Sequence, residues 1–283
     1  MAGEVTGAPV EPASAPQGSG TTRRERQRQA TCDEIVEVAR RLLQTPNALS
    51  LRAVAAEMGI TAPGLYRYVD SYQELLLLLA RSIFRDVIAS MAEARDRYAV
   101  DDPAAQIVAS AAAFRRWALG NHEEYRLLFA TPQREWPQGG ALPERDVADP
   151  FADCARDNGA DEFSAFFGQI FVRLLAKYEF HIPSDDELEP EVLTALSSPA
   201  PTTGHKVPDM VEVPAGVMWV FERAWARLYG TITLEVFGHL HPEFIASGVM
   251  FRSMMREVGA DLGLADDWDR LVGLLRTESA LGI

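Results

Sequence analysis

At 283 residues, 47% of them hydrophobic, the chain suffices for one large domain or two ordinary ones and can fill a substantial core. Two cysteines, Cys32 and Cys154, are too few for a disulfide framework, and the longest apolar run, 75–80, is too short to span a bilayer, so a soluble cytoplasmic protein with reduced thiols and no membrane association is expected. The net charge of −14 argues against a protein that wraps a polyanion over its whole surface.

Residues 1–20 are rich in Ala, Pro, Gly and Ser, lack periodicity and lack the basic start and apolar stretch of a secretory signal; a disordered tail is expected there. Ile35, Val38, Ala39, Leu42 and Leu43 then recur at helical spacing within 21–44, predicting an amphipathic helix that stops before Pro46–Asn47. Two short helices follow, 51–58 and 62–68, and a longer one from about 71 to 97. The remaining chain reads as helix throughout: 103–120, 122–130, 145–156, 161–180, 185–197, 215–239, 242–258 and 266–280, with Pro- and Gly-marked breaks between them. No strand alternation and no internal repeat is visible. The loops near 131–144 and 198–214 are long enough to be either mobile or functional. The expected fold is therefore all-α.

Charge is unevenly distributed along this order. Residues 21–81 carry nine Arg against seven acids, a balance of +2, whereas the chain beyond carries a balance of −14. One positive segment on an acidic body leaves a single face able to approach phosphates; acidity that merely keeps the protein soluble is the plainer alternative.

The positive segment also holds the most specific pattern, LRAVAAEMGITAPGLYRY at 51–68. A helix-turn-helix needs a small residue where its helices touch, supplied by Ala55, and a turn residue that tolerates positive φ, supplied by Gly59. Val54, Met58, Ile60 and Leu65 fall at core offsets, Ser50 and Thr61 are positioned to cap the two helices, and Pro63 sits in a first turn where its missing N–H costs little. An ordinary helical hairpin is the alternative. The short second helix, with Tyr66, Arg67 and Tyr68 close after Thr61, suits insertion of its N-terminus into a major groove better than a core position.

GITAPGLYRYVDSYQELL resembles the signature of the TetR family of one-component regulators, over residues 31–80. The resemblance implies a three-helix DNA-binding head, residues 21–80, on a larger helical regulatory and dimerisation domain, residues 81–283. It implies base contacts from Thr61, Ala62, Pro63 and Gly64, and phosphate contacts from Ser50, Tyr66 and Tyr68, on a palindromic duplex. The family usually has Lys where this chain has Tyr72; Arg67, or Arg23, Arg24, Arg26 and Arg28 of the first helix, are candidates to make up the lost contact. Those four arginines otherwise read as a solvated helix start. AWARLYGTITLEVFGHL at 224–240 and NHEEYRLLFATP at 121–132 resemble a TetR subclass with a Trp-x-x-x-His-Gly core, with Tyr229 in place of the His.

Segment 215–239 is apolar on nearly every side and must be covered on both flanks, by its own core and by either a partner subunit or more of the same chain. The family pairs two such helices per subunit in a four-helix bundle, so a homodimer through 215–258 is expected, with Met250 and Met254 at its interface. Aromatic residues crowd the body. Trp117, Tyr125, Phe129, Phe167, Phe171, Trp225 and Tyr229 are the candidates to line an effector cavity, and a packed core is the alternative for any one of them. The body shows no phosphate loop or dense basic patch, which favours an apolar or cationic small molecule, with Glu179, Glu222 and Glu235 as candidate counter-charges. No metal, cofactor or catalytic residue is expected: His239-x-His241 lacks an acidic or Cys partner at helical spacing, and no nucleophile elbow, GxGxxG or Walker loop occurs. The expected function is a ligand-responsive repressor. A helical enzyme or small-molecule carrier with an incidental helix-turn-helix is the alternative.

Overall fold

The computed structural model describes residues 23–130, 159–197 and 213–280. The expected tail at 1–20, the helix at 145–156 and nearly all of the two long loops fall outside them. Among the described residues the chain is all α with no strand, and no helix is long and apolar enough to cross a membrane.

The first helix, α1 (Arg23–Leu43), buries Ile35, Val38 and Ala39 and ends ahead of Asn47, whose φ of 59° is a left-handed conformation that Asn tolerates. Helix α2 (Leu51–Glu57) ends where Gly59 takes φ 67°: the Gly59 amide donates to Ala56 O and the Ile60 amide to Ala55 O. This six-to-one closure satisfies carbonyls left over at the helix end. It also turns Ile60 outward, 37% exposed, so the expected core role of that residue is not realised. Helix α3 spans only Ala62–Leu65, one turn rather than the two expected, because the chain tightens through Tyr68 with turn-type bonds such as Tyr68 N to Leu65 O. Helix α4 (Tyr72–Arg95) carries Leu75 and Leu79 into the core of this small bundle, then Phe84, Val87 and Met91 into the larger one.

Helix α5 (Pro103–Gly120) is the pillar of the larger bundle. Asp102 caps it by accepting from the Ala105 amide at 3.1 Å, Pro103 opens it, and its alanines let α4, α7, α9 and α12 pack close around it. Helix α6 (His122–Tyr125) continues into a π-helical turn, Arg126–Ala130. Helix α7 (Ala160–Lys177) stops three residues earlier than expected, where the chain becomes extended at Tyr178 ahead of Pro183. The segment expected as one helix at 185–197 divides into a 3-10 turn, Asp185–Glu187, and α8 (Pro190–Ser197), because the residue before a proline disfavours helix. Helix α9 (Ala215–Val236) is followed by α10 (Pro242–Ser247) and α11 (Val249–Asp261), split at Gly248, which takes φ 64°. A 3-10 turn leads into α12 (Trp268–Ala280), whose buried Glu278 accepts from the Arg97 guanidinium and, at 2.8 Å, from the Tyr98 hydroxyl.

Candidate functional site

The first candidate surface is the turn between α2 and α3. Ser50 Oγ accepts from the Ala53 amide at 3.1 Å and Thr61 Oγ1 from the Gly64 amide at 3.2 Å. Each hydroxyl retains its proton for an outside acceptor. Thr61, Pro63, Tyr66 and Arg67 are exposed and Ala62 and Gly64 half-buried, while Leu65 anchors the turn from beneath. Tyr66 at 49% and Tyr72 at 40% exposure stand out on this side with Ile60. Exposed phenol and hydroxyl donors beside an Arg, on and around a one-turn helix, can hydrogen-bond phosphate oxygens and base edges. Tyr68 differs: it is half-buried and lines a groove of about 600 Å³ between α1 and α4, with Arg28, Arg81 and Arg85. Of the four arginines near the start of α1, Arg23, Arg24 and Arg26 are exposed, and Arg28 is partly buried in that groove.

The second candidate site is an apolar pocket of the larger bundle, partly open to solvent. A cavity of about 60 Å³ lies among α5, α7, α9 and α11, walled by Phe167, Phe171, Phe221, Trp225 and Leu228 and by Met254 and Met255. All of its walls are apolar side chains. Phe167, Phe171 and Trp225 are thus brought to one cavity. Trp117, Tyr125, Phe129 and Tyr229 belong instead to the packed aromatic cluster beside it. There Phe129 meets Phe84, Phe114, Tyr125 and Phe163 at ring distances of 4.8 to 5.7 Å. Trp225 joins the two, stacking on Tyr229 at 6.0 Å and on Phe114 at 6.3 Å. Burial pushes the Tyr229 phenol up, so it stays a neutral donor, and its hydroxyl donates to the Phe129 carbonyl. The Tyr125 hydroxyl lies 2.7 Å from Thr233 Oγ1.

None of the candidate counter-charges reaches the cavity. Glu235 is buried, but Arg115 takes both its oxygens, Nε to Oε2 at 2.6 Å and Nη2 to Oε1 at 3.3 Å. Burial pushes the Glu235 carboxyl up, and the Arg115 hydrogen bond and charge oppose it. Arg115 also donates to Ile245 O at 2.7 Å, which ties α5, α9 and α10 together. Glu179 is exposed on a separate cleft of about 330 Å³ with Arg223 and Arg227, and Glu222 is half-buried away from the cavity. Met254 lines the chain's own cavity, 8% exposed, and is not a free surface position; Met250, at 39%, is exposed. His239 and His241 are both exposed, and His241 Nδ1 serves as a helix cap, accepting from the Glu243 amide at 3.3 Å.

One junction escapes sequence reasoning altogether. Arg40 of α1 places Nε and Nη2 on the two oxygens of buried Glu124 in α6, at 2.8 and 2.9 Å, and Nη1 on Asp86 of α4. Although desolvation opposes it, the pairing with Glu124 and Asp86 holds the guanidinium protonated above its ordinary range. The only signals in the sequence are a carboxylate beside apolar positions in HEEYRLLF and an arginine on the inner face of α1. A charge at such a position implies a buried partner without naming it.

A family model described as the C-terminal domain of tetracyclin repressor-like proteins matches residues 107–258. HTH-type transcriptional regulator Rv1816 of Mycobacterium tuberculosis strain H37Rv and HTH-type transcriptional regulator Mb1846 of Mycobacterium bovis are each 29% identical over 227 residues, covering 79% of this chain and 88% of the relative. The crystal structure of SCO4313, a protein named for a regulatory role, shares the fold at a TM-score of 0.55 and 24% identity, over 84% of this chain and 98% of that one. With more than half of its length inside that family model, and a capped helix-turn-helix ahead of it, the chain belongs to the TetR family of transcriptional regulators.

Proposed function

We propose that the chain is a homodimeric, cytoplasmic, non-enzymatic repressor that binds a palindromic duplex through residues 21–80 and is released from it by a neutral apolar molecule held in residues 81–283. The observation that carries this reading is the wholly apolar cavity walled by Phe167, Phe171 and Trp225, in a chain that also exposes the Thr61–Arg67 turn. A cation would find no carboxylate on the cavity wall, which narrows the expected effector class to neutral compounds. Thr61, Ala62, Pro63 and Gly64 read bases. Ser50, Tyr66 and Arg67 hold phosphates, and Tyr68 acts from the groove beside them. The dimer forms through α9, α10 and α11, which expose Leu234, Phe244, Val249 and Met250 and in which a side chain at Gly230 would meet open space.

Linkage supplies the mechanism: a ligand that prefers the body conformation with badly spaced heads must weaken DNA binding by the same coupling energy, ~1–3 kcal/mol. The test pairs two titrations of neutral lipophilic compounds. One follows the tryptophan fluorescence of the protein, and the other the anisotropy of a labelled duplex from the gene's own upstream region. Compounds that quench tryptophan and release the duplex are expected. Binding without release defeats the allosteric reading, and ligand binding by a protein with no affinity for duplex DNA favours a carrier.

A further inference from the structure

A cavity of about 60 Å³ is far smaller than the ~300–1,000 Å³ typical of small-molecule sites, so a sizeable occupant that enters it, rather than lying across its mouth, has to push its walls apart. Those walls are not isolated. Trp225 stacks on Tyr229, the Tyr229 hydroxyl holds the Phe129 carbonyl, and the Phe129 ring lies 4.8 Å from Tyr125. The neighbour of Tyr125 in α6 is Glu124, both of whose oxygens are held by Arg40 of α1. The Phe129 ring also abuts Phe84 of α4, at 5.7 Å, two residues before Asp86, the other partner of Arg40. Contact therefore runs unbroken from the cavity wall to the two helices that carry the reading head. Its middle is the π-helical turn Arg126–Ala130, a form rarer than the α-helix and adjustable by a shift of register.

We propose that Arg40 is the positioning residue through which expansion of the cavity resets the head. It clamps α1 to α6 and α4 together, and displacement of the π turn withdraws Glu124 from it. The chemistry of the clamp requires arginine: one planar fork grips both Glu124 oxygens while the third nitrogen reaches Asp86, a geometry that a lysine ammonium cannot reproduce. The inference rests on the reading above, in which paired heads bind a palindrome and the body admits a ligand.

The test needs no identified effector. A palindromic duplex is selected from a random library by the full-length protein, and affinities are measured for the palindrome and for a duplex holding one half-site. The ratio of the two reports how well the heads are spaced and is insensitive to a general loss of folded protein. Arg40→Lys is expected to lower the ratio at least about tenfold while leaving half-site affinity within about twofold. Ala111→Leu, which fills the cavity from α5, imitates an occupant. It is expected to lower the ratio in the natural chain but to change it less than about twofold when Arg40→Lys is already present. Should Ala111→Leu fail to fold, Ala224→Leu on the facing wall serves in its place. A ratio untouched by Arg40→Lys, or lowered equally by the filled cavity in both backgrounds, overturns the clamp. Failure of the natural chain to select any duplex is a different result, which overturns the DNA-binding reading and the clamp with it.

Discussion

In the head, the side-chain bonds that set local geometry join residues three or four apart: Ser50 to Ala53, Thr61 to Gly64, Ser71 to Glu74, and the Glu74 carboxylate back to the Asp70 amide. The body has such caps too, Asp102 to Ala105 among them, but it adds bonds between residues 120 and 181 positions apart, Arg115 to Glu235 and Arg97 to Glu278. A local cap needs only the right residue beside the right helix end, whereas a long-range pair exists only once the bundle has closed. The head is accordingly a set of short elements trimmed by single hydroxyls, with Thr61, Pro63, Tyr66 and Arg67 left exposed. The body is a packed bundle held together by contacts between distant parts of the chain.

The contrast can be broken at the body first. Arg115→Ala strands the buried Glu235 carboxylate, and losing one partner of a buried pair costs about 3–5 kcal/mol. Denaturant unfolding is expected to shift by that amount; a shift below about 1 kcal/mol means that the pair does not bind the bundle together. Next, Met250→Glu puts a charge on the exposed apolar side of α11. Sedimentation is expected to show subunit association weakened at least about tenfold with the protomer still folded, and an undisturbed dimer places the interface elsewhere. In the head, Tyr66→Phe removes the proposed donor to a charged phosphate, worth about 1.5–3 kcal/mol, and is expected to weaken binding to every duplex alike. Stability should stay within about 0.5 kcal/mol, because the side chain is a surface one.

The smallest effect concerns pH. The Arg270 hydrogen bond holds the Asp267 carboxyl below the ordinary aspartate range. For Asp102, burial alone pushes the carboxyl up, but Arg270 and the Ala105 amide outweigh it and lower it too. A carboxyl depressed in the folded state stabilises above its unfolded value, and that contribution is lost as pH falls through the folded one. The melting temperature is therefore expected to fall below about pH 4, less steeply in Arg270→Ala. Equal slopes would remove these aspartates from the acid response.

The same contrast decides what can be read from the residues alone. The starts of α2 and α3, the left-handed Gly59 and both hydroxyl caps follow from local rules, as does the Pro103 start of α5, whereas the early end of α3 does not. Ile60 does not, because its direction is set by the closure of the turn onto Ala55 rather than by its spacing from Val54. The aromatic crowd of the body is evident as composition. Which rings face a void and which fill one depends on how α5, α7, α9 and α11 meet, so Phe167 and Trp225 separate from Tyr125 and Phe129 only in three dimensions. The Arg40 clamp shares that limit, since its partners lie 46 and 84 residues away.

Recognition of duplex DNA by the Thr61–Arg67 turn is tested most directly by titrating a selected palindrome with the natural chain, Thr61→Ala and Tyr66→Phe, at two salt concentrations. Binding by the natural chain is expected to be selective and to weaken with salt as phosphate contacts are lost. Tyr66→Phe should weaken it uniformly across sequences, and Thr61→Ala should weaken it and also change which bases are preferred. Equal affinity and equal base preference in all three proteins would contradict the assignment of this turn to the DNA groove.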